Sequence, residues 1–171
     1  MQLSLREMQQ ADIRMMKAWL TAKENSKFLA PFFQNEFMMD EQLAVFLMRR
    51  DKRTFLILGA GTPVGLVGLT NIDESNRSAE IWCVVGDPNY RHKGVATTGF
   101  ILALQKAFSD LGLHSVSGWA SDGNFTVRVF QKLGFRCIGR QRECHFQDGV
   151  LKDRILFDIL QHEFNVPSLS G

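Results

Sequence analysis

Apolar positions recur at two spacings along this chain, and the spacings divide it into elements. Leu3-Ser4-Leu5-Arg6 alternates and predicts a short first strand. Ile13, Met16 and Leu20 share one helical face, so Asp12 to Thr21 reads as a helix with Asp12 near its start. A second helix runs from Asp40, its cap, to about Arg50, with Leu43, Phe46 and Leu47 facing inward. Between them, Glu24 to Met39 holds Pro31 and the run Phe28, Leu29, Phe32, Phe33, Phe37, Met38 and Met39 with only a weak period. That segment is either core or the lid and wall of a pocket. Thr54 to Leu58 and Val64 to Asn71 read as paired strands around a Gly59 to Pro63 turn.

After a polar turn at Glu74 to Arg77, Ala79 to Val85 reads as a strand rich in β-branched and aromatic residues. The turn Gly86-Asp87-Pro88-Asn89 and the cluster Tyr90-Arg91-His92-Lys93-Gly94-Val95-Ala96 follow. Then comes a long amphipathic helix with Phe100, Leu104, Ala107, Phe108 and Leu111 at helical spacing, closed by Gly112. Ser115 to Ala120 alternates as a further strand. Ser121-Asp122-Gly123-Asn124 leads into a short helix, Phe125 to Leu133, which ends in Leu133-Gly134-Phe135. Arg136 to Phe146 and Val150 to Leu160 form a last hairpin around Gln147-Asp148-Gly149, and Asn165 to Gly171 reads as a flexible tail.

Strand, basic glycine-containing loop and helix in succession suit an anion. Unpaired N–H groups and the dipole at a helix start favour negative charge, and Gly94 lets a phosphate approach the backbone. No Gly-x-x-x-x-Gly-Lys-Ser/Thr or Gly-x-Gly-x-x-Gly sequence stands there, which disfavours a nucleoside triphosphatase loop and a dinucleotide fold. Arg91-x-x-Gly94-x-Ala96 instead resembles the acetyl-CoA loop of the GNAT superfamily of N-acetyltransferases. Asn124, the short helix and Leu133-Gly134-Phe135 resemble that superfamily's second signature, in the right order. The ending, with Asp148-Gly149 and Asp153, looks like the branch that holds ribosomal-protein alanine, spermidine and amino-sugar nucleotide acetyltransferases.

The resemblance covers nearly the whole chain and implies an α/β fold. It places one GNAT domain over residues 1–164, with a mixed twisted sheet of about seven strands and helices on both faces. It implies acetyl-CoA as co-substrate, without a metal, and direct transfer to a primary amine of a small molecule or a protein N-terminus. Carried over residue by residue, Val84 and Val85 offer backbone groups to the pantetheine arm. Arg91, His92, Lys93, Gly94, Val95, Ala96 and Thr97 hold the pyrophosphate. Asn124 contacts the pantetheine end or caps a helix, and Phe130 lines the thioester's surroundings or belongs to the core.

Glu80 lies eleven residues before Arg91, the spacing of the general base in histone-type members. It is either that base or a surface glutamate at a strand start. The thiolate acid has no clear candidate. Phe130 stands where many members have Tyr, and Val127 where the ribosomal-protein branch often has Ser. Thr126, Tyr90, Cys144 and His145 are weak substitutes, and the departures keep a non-catalytic acyl-CoA sensor as the alternative. Acidic partners for a cationic acceptor could come from Glu36, Asp40, Asp73, Glu74 or Asp148.

Composition fits this reading without extending it. The 171 residues, 45% hydrophobic and 22% charged, suit one globular domain with a sizeable core. A net charge of +2 is too balanced to suggest nucleic acid as the main partner. Cys83, Cys137 and Cys144 form no Cys-x-x-Cys pair and read as free thiols in a reducing compartment. Neither a signal peptide nor an apolar span is evident, so a cytoplasmic protein without a membrane partner is expected. A homodimer is common in the resembled branch.

Overall fold

A computed structural model describes residues 2–35 and 37–165. Glu36 and most of the expected tail therefore lie outside the described residues. Seven strands, β1 (Leu3–Glu7), β2 (Arg53–Gly59), β3 (Thr62–Asp73), β4 (Ser78–Val85), β5 (Ser115–Ser121), β6 (Arg136–Gln147) and β7 (Val150–Leu160), form one sheet in the order β1-β2-β3-β4-β5-β7-β6. All neighbours are antiparallel except β4 and β5. Five α-helices accompany it: α1 (Ile13–Thr21), α2 (Lys23–Ser26), α3 (Asp40–Leu47), α4 (Val95–Gln105) and α5 (Thr126–Lys132).

Strand alternation sorts the apolar residues onto two faces. Phe55, Ile57, Val67, Leu69 and Ile81 meet Phe100, Ile101 and Leu104 of α4 and Phe130 of α5 on one side. Leu56, Leu66 and Val84 meet Ile13, Met16 and Leu20 of α1 and Leu43 and Leu47 of α3 on the other. Gly99 lets α4 settle closely on the sheet, since a Cβ there would lie 2.6 Å from Ile57 Cδ1. Asp148 and Gly149, with φ of 51° and 81°, supply the tight turn between β6 and β7.

Some boundaries differ from expectation. The second helix stops at Leu47, and Lys52 N–H donates to the Arg49 carbonyl in a turn that leads into β2. Asp40 does not cap α3: Gln42 Oε1 accepts from Met39 N–H at 2.9 Å, and the Asp40 carboxylate pairs instead with Lys17 of α1. The long helix closes in a π-helical turn, Lys106–Asp110. The Glu24 to Met39 segment becomes α2 and a 3-10 turn at Pro31–Gln34, and it takes both of its expected parts. Leu29, Phe33 and Met38 are buried in the second core, and Phe28, Leu29 and Phe33 also face the cavity described next.

Candidate active site

β4 and β5 pair only at their starts, Ser78 to Glu80 against Ser115 to Ser117. Beyond that point they part, and Phe130 of α5 fills the fork: a Cβ on Gly118 would lie 2.6 Å from Phe130 Cζ. A cavity of about 480 Å³ opens along the gap. Val85, Arg91, Gly94 and Asn124 line it toward the end of β4, and Phe33, Lys52, Glu80 and Trp119 toward its start. Val85 stands five strand steps beyond Glu80, a span of about 16 Å.

The loop ahead of α4 leaves main-chain donors unpaired. His92 and Gly94 take φ of 59° and 78°, and the first intrahelical bond runs from Thr98 N–H to the Gly94 carbonyl at 3.0 Å. The N–H groups of Val95, Ala96 and Thr97 therefore lack intrahelical acceptors at the positive end of the helix dipole. A Cβ at Gly94 would meet nothing within 4 Å, so the approach to this backbone is open. Arg91, His92, Gly94, Val95, Ala96 and Thr97 all line the cavity. Lys93 does not; its Nζ sits 5.7 Å from the centroid of the Tyr90 ring.

Backbone direction corrects one expectation about β4. The Ala79 carbonyl turns toward β5, where it accepts from Ser117 Oγ at 3.3 Å, and the Glu80 carbonyl turns toward Thr70 of β3. Alternation then points the main-chain groups of Ile81, Cys83 and Val85 into the gap. Those of Val84 go to β3: a Cβ on Gly65 would lie 2.6 Å from the Val84 carbonyl oxygen. Val85 can offer backbone groups to a ligand in the gap, and Val84 cannot.

Glu80 shares a face with Trp82 and Val84, on the side of α1 and α3. Its carboxyl is pushed above the usual glutamate value by burial. The Trp119 side-chain hydrogen bond and the charges of Arg154 and Lys52 act against that rise. The result is a carboxylate that gains from taking up a proton, set in a cavity wall.

Asn124 Oδ1 accepts from Thr126 N–H at 2.8 Å, so it caps α5, while the residue also lines the cavity. Phe130 is 1% exposed and packs its ring against Phe100, Phe135 and Phe157; it is a core aromatic that forms the cavity floor. Thr126 and Tyr90 line the cavity. His145 does not. It is buried, with Nε2 at 2.6 Å from the Lys27 carbonyl and Nδ1 at 3.3 Å from Arg154. Cys144 Sγ bonds the Gln141 carbonyl, and burial pushes the Cys83 thiol up to about 12, far from a nucleophilic thiolate.

The four described acidic residues expected for an acceptor lie elsewhere. Asp40 is held by Lys17, Asp148 pairs with Lys27 at 2.8 Å, and Asp73 accepts from Asn76 within its own turn. Glu74 does not line the cavity. Arg49, Asp51 and Lys52 line it instead, together with Thr70 and Trp119. Sequence reasoning missed this group. Its one signal was a charged run, Arg49 to Arg53, placed directly before a core strand, where solvent exposure is the default assumption.

The family profile described as "Acetyltransferase (GNAT) domain" matches residues 2–136. The chain belongs to this family. It is 29% identical over 116 residues to the spermidine N(1)-acetyltransferase of Escherichia coli strain K12, a stretch that covers 67% of this chain and 62% of that protein. The spermidine N(1)-acetyltransferase of Vibrio cholerae is 26% identical over 169 residues, 95% of each chain. A crystal structure of spermidine N-acetyltransferase from Vibrio cholerae in complex with CoA and spermine superposes with a TM-score of 0.84. The two chains are 25% identical there, and the match covers 95% of this chain and 97% of that one. The seven-stranded mixed sheet is thus the GNAT fold. Among the described residues, no helix is long and apolar enough to cross a membrane, and no group of His, Cys, Asp and Glu is placed to hold a metal ion.

Proposed function

We propose that this protein is an acetyl-CoA-dependent N-acetyltransferase that moves the acetyl group directly to a primary amine of a small molecule or a protein N-terminus. The observation that carries the reading is one continuous cavity with the loop of α4 and its unpaired N–H groups at one end and a half-buried carboxylate, Glu80, at the other. Acetyl-CoA supplies the thioester. The N–H groups at the start of α4, with Arg91 and His92, receive the pyrophosphate, and Val85 pairs with the pantetheine arm. The Asn124 amide group reaches its far end, and Phe130 closes the floor beneath it.

An amine must be neutral to attack, yet an alkylamine holds its proton to a pH near 10. Glu80, reluctant to stay ionised, takes that proton directly or through water. The new N–C bond forms as the C–S bond breaks. The amine's proton leaves through Glu80, and the thiolate takes one from solvent, since neither Phe130 nor Val127 carries an acidic hydrogen. Main-chain N–H groups facing the gap are donors for charge developing on the carbonyl oxygen. Much of the acceleration comes from holding amine and thioester in line.

Thermal unfolding with and without acetyl-CoA tests the binding half. Saturating acetyl-CoA raises the melting temperature by mass action, and Gly94→Glu removes the rise by placing a carboxylate where the phosphates enter. Thiol release across a panel of amines tests the catalytic half. Stabilisation without thiol release on any amine would mark an acyl-CoA sensor, and no stabilisation at all would end both readings.

A further inference from the structure

The cavity end around Glu80 contains a buried cation. Lys52 is 6% exposed, and its Nζ lies 4.4 Å from the Phe46 ring centroid. Its counter-charge is weak: Asp51 Oδ2 stands 3.7 Å away, and the same carboxylate is already bonded by Arg49 at 3.0 and 3.4 Å. An ammonium out of water needs a close partner. Here the closest carboxylate is distant and shared with Arg49.

Register places Lys52 against Glu80. Arg53 opposes Leu69 and Thr70 opposes Glu80, so Lys52, the residue just ahead of β2, continues toward the level of Thr70 and Glu80. Alternation from Leu56, Leu66 and Val84 puts all three on the same face of the sheet. Two strand spacings, about 10 Å, separate the outer backbones. Their side chains converge on one cavity, and the Lys52 charge acts on the Glu80 carboxyl. An amine presented to Glu80 therefore sits within a few bonds' reach of Lys52. A second cationic group at this end would meet Lys52 and Arg49, with Asp51 already shared between those two cations. An anionic group would give Lys52 a closer partner than Asp51 at 3.7 Å.

We propose that the acceptor is a small zwitterion, a primary amine that carries a carboxylate or phosphate a few bonds away, with the amine at Glu80 and the anion at Lys52. This rests on the acetyl transfer proposed above and leaves its steps unchanged. Lys52 is a specificity determinant: it binds the acceptor and takes no proton in the transfer.

Matched acceptors test it. Thiol release is measured with β-alanine against β-alaninamide and O-phosphoethanolamine against ethanolamine. Spermidine and a short peptide with a free N-terminus complete the set, and each rate is normalised to the neutral amine fraction. The expected result is that at least one charged member exceeds its neutral partner and spermidine by about tenfold or more in kcat/KM. The pair that responds tells carboxylate from phosphate. Lys52→Met keeps the stem against Phe46 and melts no lower than the parent, yet collapses that ratio; Lys52→Arg preserves most of it. Equal or better turnover of the neutral partners, spermidine or the peptide overturns the inference while leaving the acetyltransferase standing. A ratio unchanged in Lys52→Met overturns it as well. Thermal stabilisation by acetyl-CoA with no thiol release from any amine overturns the proposed function and this inference together.

Discussion

Arg91 Nη2 lies 3.1 Å from Glu24 Oε1, so the anion loop ahead of α4 is tied to α2 across the mouth of the cavity. The Arg91 hydrogen bond also holds the Glu24 carboxyl below the usual range, which keeps it charged at neutral pH. A pyrophosphate entering this loop competes with Glu24 for the guanidinium and meets the carboxylate's repulsion. Glu24→Gln should therefore tighten acetyl-CoA binding by about two- to fivefold, the size of a partly exposed ion pair, with a smaller gain at high salt. Titration calorimetry at two ionic strengths reads this. Weaker binding in Glu24→Gln would mean that the ion pair orients Arg91 instead of restraining it.

Trp19 of α1 lies flat on Gly86, just past the end of β4: a Cβ at Gly86 would sit 2.0 Å from Trp19 Cδ2. No side chain can be added there without displacing the indole, and α1 with it. Gly86→Ala should cost about 1–3 kcal/mol, the usual penalty of overpacking. It should also raise the KM for acetyl-CoA, because the displaced helix borders the loop that follows β4. Denaturant unfolding and steady-state kinetics check the two effects. A stable variant with an unchanged KM would show that α1 and the loop move independently.

The strands, the basic loop ahead of α4 and the return from α5 were legible in the sequence because each follows from local chemistry. Alternation marks the strands, Arg91-x-x-Gly94-x-Ala96 marks the loop, and Leu133-Gly134-Phe135 marks the return from α5. Val84 and Val85 could not be told apart, since main-chain direction depends on which neighbour each residue faces. That became readable only once Thr70 and Ser117 stood on either side of β4. Lys52 was hidden for a similar reason. A lysine in a charged run reads as solvated until β2, β3 and Phe46 enclose it. His145 carried no local sign of its partners, which come from Lys27 far earlier in the chain and from Arg154 on the neighbouring strand.

Thiol chemistry should leave the reaction untouched. Cys83 lies beneath α4, its Sγ 3.6 Å from where a Gly99 Cβ would stand, and burial pushes it up to about 12. Cys137 is exposed on β6. Alkylation of the folded protein with iodoacetamide near pH 8 should label Cys137 first and spare Cys83, with acetyl transfer retained in the labelled protein. Peptide mass mapping reads the sites. Rapid labelling of Cys83 with parallel loss of activity would reopen a covalent route through that sulfur.

In the proposed reaction Glu80 links catalysis to stability through one displaced titration. Burial raises its folded-state value above the unfolded one, so the protonated form is favoured in the folded protein. Its contribution to stability is present below the unfolded value, near 4.3, and is lost as the pH climbs through the higher folded value. Above that folded value the wild type carries an ionised, half-buried carboxylate. Glu80→Gln should melt higher there, and the difference should close below about pH 4. The same replacement removes the proton acceptor and should lower kcat/KM by on the order of a hundred- to ten-thousand-fold. The acid limb of the wild-type rate profile should lie above the ordinary glutamate range. Trp119→Phe should move it further up by deleting a hydrogen bond that favours the ionised form. A limb in the ordinary range, or one that Trp119→Phe leaves in place, would remove Glu80 from the role of base, because among the described residues no other carboxylate in the cavity wall is raised; Asp51 is held low by Lys52 and Arg49.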